Sequence, residues 1–189
     1  GNAEVVRLKE QIAKGSSEID KKQQQYHREK SRLESLVNIT ERYDGYGNSI
    51  RKIMELKEQR PGILGVIADI VKVEKQYETA IETALGGTIQ NIVTDNENTA
   101  KDLIAYLKQN RFGRATFLPL SAIQVRNTLE GEPCMKEKGV IGAASDLVRV
   151  SFEYEKLAKY LLGRILVVDN IDNLKIQVIF WDEAEKLKN

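Results

Sequence analysis

Two hydrophobic rhythms divide the chain. Up to about residue 43, apolar side chains return every seventh position, as Val5, Ile12, Ile19, Tyr26 and Leu33. The companion positions Leu8, Gly15, Lys22, Glu29 and Leu36 are apolar only at the two ends, so the spacing predicts one long helix with an imperfect coiled-coil stripe. Some 40 helical residues would extend roughly 60 Å, and Gly15-Ser16-Ser17 marks the place where this helix is expected to weaken. Turn chemistry follows at Tyr43-Asp44-Gly45-Tyr46-Gly47-Asn48-Ser49. A short helix with Ile50, Ile53, Met54 and Leu56 on one side then runs to Pro61-Gly62.

Beyond Pro61 the rhythm becomes that of a mixed α/β body. Ile63–Val73 reads as an apolar strand region interrupted by Gly65 and Asp69. Tyr77, Ala80, Ile81, Ala84 and Leu85 mark one face of a helix stopped by Gly86-Gly87. Thr88–Val93 reads as a strand. Asn96 or Asn98 is placed to cap a helix over 97–109 with Ala100, Leu103, Ile104 and Leu107 inward. Ala115–Leu118 is the next strand, and residues 124–138, with Asn127, Gly131, Pro133 and many charges, read as a mobile connector.

The body repeats itself. Displacing the sequence by 77 residues lays GVIGAASDLVRVSFEYEKLAKYLLG (139–163) over GILGVIADIVKVEKQYETAIETALG (62–86). Nine of the 25 positions are identical, among them Gly62/Gly139, Gly65/Gly142, Asp69/Asp146, Tyr77/Tyr154 and Gly86/Gly163. Unrelated segments would share roughly two at average usage. After a three-residue deletion, Asp95-Asn96 meets Asp169-Asn170. Two copies are too few for a solenoid, so a pseudo-symmetric pair of lobes around one interface is expected. The boundaries that follow are 1–60 for a coiled-coil arm and transition helices, 61–123 for lobe I, 124–138 for the connector, 139–181 for lobe II and 182–189 for the start of a returning helix.

Composition narrows the chemistry. The 189 residues carry 29 Lys+Arg against 28 Asp+Glu, with 41% hydrophobic and 30% charged side chains, as in a folded chain with a charged surface. The net charge of +1 excludes a uniformly basic nucleic-acid wrapper and leaves local patches open. One Cys (Cys134) and one His (His27) exclude a disulfide framework and His-pair or Cys-based metal motifs. No phosphate-binding Gly-Lys loop, dinucleotide fingerprint, zinc-protease helix or nucleophile elbow occurs, and no cofactor is expected. With no signal-peptide layout and no 18-residue apolar run, a cytoplasmic setting without membrane contact is the expectation.

Two sets of residues remain as candidates. Lys101, Lys108, Arg111 and Arg114 gather at the end of the 97–109 helix and in the turn N-R-F-G-R, suited to phosphate contacts without sequence preference. Arg51, Lys52, Lys57 and Arg60 form a possible second patch. For both, ordinary surface charge and compensation of a helix C-terminus stand as the alternative. Phe112 suits either stacking on a base or anchoring the turn. The repeated Asp69 and Asp146 admit a small-ligand enzyme if they face one cleft; otherwise they are turn residues repeated with the fold.

At R-F-G-R-A-T-F-L-P-L (111–120), preceded by A-L-G-G-T-I-Q-N-I-V-T-D-N (84–96), the chain closely resembles the hinge domain of bacterial structural maintenance of chromosomes (SMC) proteins. E-R-Y-D-G-Y-G-N-S-I (41–50) looks like that family's coiled-coil-to-hinge transition, and 139–148 with 160–170 match its second half. The resemblance implies an α/β (α+β) fold of two related lobes preceded by a long coiled-coil helix. It implies a homodimerising, non-enzymatic module of a chromosome-organising ATPase, with no small-molecule substrate. DNA contact is implied at Lys108, with Lys101, Arg111 and Arg114 as neighbours. The chain departs from the family after residue 173, where Leu174–Asn189 leaves room for a strand at Ile176–Phe180 but not for the helix and glycine-rich segment the family pattern requires.

Overall fold

The computed structural model describes residues 1–170 and 175–180. They form two units, one of residues 1–45 and one from Tyr46 onward. In the first, helix α1 (Asn2–Arg42) passes Gly15-Ser16-Ser17 without a break. One glycine costs about 1 kcal/mol relative to Ala, little against 41 residues of otherwise good helix formers. The stripe residues Val5, Ile12, Ile19, Tyr26 and Leu33 are all exposed, as is His27.

The second unit opens with α2 (Asn48–Met54), which buries Ile50, Ile53 and Met54. There follow β1 (Ile63–Val66), the one-turn α3 (Ile67–Ile70), β2 (Lys72–Val73), α4 (Glu78–Leu85), β3 (Ile92–Thr94), α5 (Glu97–Asn110) and β4 (Phe117–Pro119). The second half contributes β5 (Val140–Ala143), β6 (Val148–Arg149), α6 (Glu155–Leu162), β7 (Ile165–Asn170) and β8 (Lys175–Phe180). Strands order as β1-β3-β4, β2-β6 and β5-β7-β8.

The expected strand over 63–73 is divided. Gly65 lies at φ 142°, a conformation only glycine adopts readily, and the β1–β3 register shifts between Ile63 and Gly65. The chain therefore bulges and turns through α3 before pairing again at β2. The strand expected over 88–93 begins instead as a 3-10 turn, Gly86–Gln90, in which the Thr88 hydroxyl donates to the Leu85 carbonyl at 2.6 Å.

The repeat is reproduced element by element. Moving β1, α3 and α4 along by 77 residues places them on β5, a 3-10 turn (Ala144–Leu147) and α6. The bulge recurs between Val140 and Gly142. The Asp95 N–H donates to the Gly62 carbonyl at 2.9 Å and the Asp169 N–H to Gly139 at 2.7 Å. The lobes meet through β2 and β6, which pair antiparallel with Lys72 opposite Arg149 and Val73 opposite Val148. Since 72 and 149 differ by the repeat spacing, each of these two residues faces its own counterpart, and the local twofold axis passes between them.

Behind that ladder lies one core drawn from both lobes. Ile67, Val71, Ile81, Leu85 and Val93 pack in the same cluster as Leu157, Leu162, Ile165 and Val167. A smaller cluster of Leu129, Ala143 and Leu166 takes in Cys134 and Met135. Residues 124–138, read as a mobile connector, are thus anchored on lobe II. The Leu129 N–H donates to Gly163 O at 2.9 Å and Arg164 Nη1 to Asn127 O at 2.9 Å. Strand β8 supplies the expected strand near Ile176–Phe180 and pairs antiparallel with β7. The returning helix expected at 182–189 lies outside the described residues.

Candidate nucleic-acid interface

Helix α5 and the turn after it build the site. The Asn96 side chain caps the helix, accepting from the Thr99 N–H at 3.0 Å. Ala100, Leu103 and Leu107 face inward, whereas Ile104, expected with them, is 51% exposed. The helix ends in a Schellman arrangement: the Phe112 N–H donates to Leu107 O at 3.0 Å and the Arg111 N–H to Lys108 O at 3.3 Å. Position C′ of that motif requires left-handed backbone and is usually glycine. Here Arg111 occupies it at φ 55°, the one non-glycine residue with positive φ among the described residues.

The turn is held from outside as well. Phe112 packs edge-on against Tyr106, with ring centroids 5.7 Å apart, the apolar contact that often accompanies this motif. Lys52 Nζ lies 5.2 Å from the Phe112 ring centre, within cation–π range. The buried Ser49 hydroxyl donates to Arg114 O at 2.6 Å, and Asn48 Nδ2 to Phe112 O at 3.4 Å. Phe112 therefore anchors the turn. Sequence spacing did not reveal Asn48, Ser49 and Tyr106 in this role, because their contacts join segments about 65 positions apart or depend on the helix end.

Lys108, Arg111 and Arg114 come together, lining with Ile104, Leu107 and Ala115 a concavity of about 630 Å³. Lys101 does not belong to it; seven residues before Lys108, it stands on the same helical face roughly 10 Å away along the axis. All four cations are exposed. No ion pair or side-chain hydrogen bond engages them among the described residues. The carbonyls of Leu107 and Lys108 are already satisfied by backbone N–H groups.

The second candidate patch disperses. Lys52 sits on Phe112 and 3.6 Å from Glu55, Lys57 reaches over Gly65, and Arg60 lines a different hollow with Thr99 and Tyr106. Asp69 and Asp146 occupy repeat-equivalent turns. The small hollow at Asp146, about 210 Å³, is lined by Thr128, Glu130, Ser145 and Lys159, and Asp69 is not part of it. The enzyme reading has no support in this arrangement. No metal-binding cluster of His, Cys, Asp and Glu occurs among the described residues, and no helix among them is long and apolar enough to cross a membrane.

Comparison with known proteins gives a consistent result. The family model described as "SMC proteins Flexible Hinge Domain" matches residues 60–173. The chain is 37% identical over 172 residues to the chromosome partition protein Smc of Lactiplantibacillus plantarum, covering 86% of this chain and 14% of that protein. It is 35% identical over 165 residues to Smc of Bacillus subtilis, with 86% and 14% covered. The chain thus spans about 14% of the length of these curated relatives. Among solved structures, an asymmetric dimer of the Geobacillus stearothermophilus SMC hinge domain matches with a TM-score of 0.66 and 38% identity, over 79% of this chain and 60% of that one. The Pyrococcus furiosus SMC hinge domain matches with a TM-score of 0.56 and 31% identity, over 75% and 74%.

Proposed function

The chain belongs to the SMC flexible hinge family, and from that premise we propose that it is the point at which two copies of a chromosome-partitioning polypeptide are joined and brought onto DNA. The joining half of this reading is supported by the similarity to a hinge solved as a dimer and by two three-stranded sheets whose outer strands have no further strand partner among the described residues. A twofold homodimer is the expected assembly. Sedimentation equilibrium at tens of micromolar should report a dimer; monomer alone would refute joining through this chain.

The DNA half rests on one observation, the convergence of Lys108, Arg111 and Arg114 on a single exposed concavity without acidic partners among the described residues. Cations so placed contact phosphates irrespective of base sequence, and binding weakens as salt rises. The combined change Lys108→Glu and Arg111→Glu should abolish a salt-dependent mobility shift with duplex DNA, whereas Lys101→Glu should weaken it less. Unchanged affinity in the double variant would eliminate the site. The role is non-catalytic. Any ATP hydrolysis belongs to other parts of the parent protein, and the working environment is the cytoplasm beside the nucleoid.

A further inference from the structure

We propose that Lys72 and Arg149, facing each other on the internal twofold axis, form a second anion site, one that takes a phosphate-type oxyanion at the seam between the lobes. Directly opposed residues of an antiparallel pair project to the same side, with Cβ atoms about 5 Å apart, and like charges there are destabilising. Both residues are exposed, while Val73, Val148 and Val150 pack against the shared core. The nearest acid along the ladder, Glu74, accepts from Gln76 Nε2 at 2.9 Å. Neither Lys72 nor Arg149 has an ion pair among the described residues.

The repulsion sits where it costs most. The β2–β6 ladder is the one strand pairing between the lobes among the described residues, and it is only two residue pairs long. Several neighbouring exposed positions differ between the copies in charge or polarity, although Glu78 and Glu155 are the same in both. Glu74 matches Ser151, Lys75 matches Phe152, Thr79 matches Lys156 and Glu82 matches Lys159. Positive charge survives in both copies at 72 and 149. A tetrahedral oxyanion seated there accepts from the guanidinium fork and the ammonium together, turning the repulsion into a bridge across the seam. The site is independent of the α5 concavity, sharing no residue with it.

The test uses the 189-residue chain and compares wild type with Lys72→Gln, Arg149→Gln and Lys72→Glu in melting experiments, in chloride and in inorganic phosphate at equal ionic strength. General salting effects of phosphate act on all four proteins alike. At phosphate tenfold above its dissociation constant, wild type should gain about 3–5 °C more than either Gln variant. Lys72→Glu, which replaces repulsion by attraction, should melt above wild type in chloride and lose the extra gain. A gain equal in all four proteins, or no phosphate-specific gain in wild type, would overturn the site. A mixed-sequence single-stranded oligonucleotide, titrated at low salt, separates the sources. Reproduction of the gain in wild type alone assigns the site to nucleic-acid backbone, and a gain with inorganic phosphate only assigns it to a free anion.

Discussion

Lobe I and lobe II follow the same path as far as their second long strand and separate at the third. In lobe I, β3 leads into α5, whose return lays β4 parallel to β3. In lobe II, β8 pairs antiparallel with β7, with only residues 171–174 between them. Up to that point the agreement reaches the bulge at Gly65 and Gly142 and the backbone bond from Asp95 to Gly62 or from Asp169 to Gly139. What the lobes share is what they need to hold each other: the pairing ladder, the helices α4 and α6, and half a core each. What they do not share is the helix that gathers cations. Duplication accounts for the scaffold, and the unpaired part of lobe I carries the proposed DNA contact.

Several substitutions can break or sharpen that comparison. The largest effect is expected at the shared core. Ala80 and Ile81 in α4 stand where α6 has Leu157 and Ala158, so large and small side chains change places across the twofold axis. Leu157, fully buried, should cost about 2–5 kcal/mol when cut to Ala. Urea unfolding should remain a single transition, and two separated transitions would show that the lobes are independent. Next come the equivalent glycines after α4 and α6, which are needed for opposite reasons. Gly163 has an ordinary backbone, but an added methyl would run into the Lys159 carbonyl oxygen. Gly86 has open space and φ 54°. Either change to Ala should cost about 1–3 kcal/mol. A D-Ala introduced by chemical synthesis should be tolerated at 86, where its mirror-image backbone preference matches φ 54°, as melting would record.

A smaller loss, about 1 kcal/mol, is expected for Asn96→Ala, which removes the α5 cap. The same urea titration should record that loss. The smallest effect has the opposite sign. Arg111→Gly relieves a left-handed arginine and should raise stability by about 0.5 kcal/mol while weakening DNA binding, so that stability and affinity move apart. Loss of both would mean that the arginine side chain holds the turn together.

Much of this was legible in advance, and the limits have physical causes. The repeat showed in identities, because glycines at bulges and close approaches tolerate few replacements. Asn96, the inner face of α5 and the strand near 176–180 followed from capping chemistry, periodicity and apolar runs. Ile104 misled: in a helix that borders a concavity, an apolar stripe wider than the buried face spills onto the surface. The division of 63–73 was missed because apolar side chains serve strand and one-turn helix equally, and only Gly65 hinted at the bend. At the site, clustered basic residues were visible, but which of them converge was not. The left-handed state of Arg111 violates the glycine preference, and the Ser49 and Lys52 contacts come from distant chain. The exposed heptad positions of α1 fit the periodicity that predicted a coiled-coil stripe.

The self-facing ladder also bears on identity among copies. A strand edge whose counterpart is its own duplicate cannot distinguish the lobe at the far end of its chain from the same lobe of another molecule. What enforces the choice is the tether of residues 124–138, which keeps lobe II at high local concentration beside lobe I, and its anchorage through Leu129 shortens the effective leash. Fidelity of assembly is thereby assigned to a connector whose own regular structure is a 3-10 turn at Pro133–Lys136, and whose shortening would favour exchange of halves between neighbours.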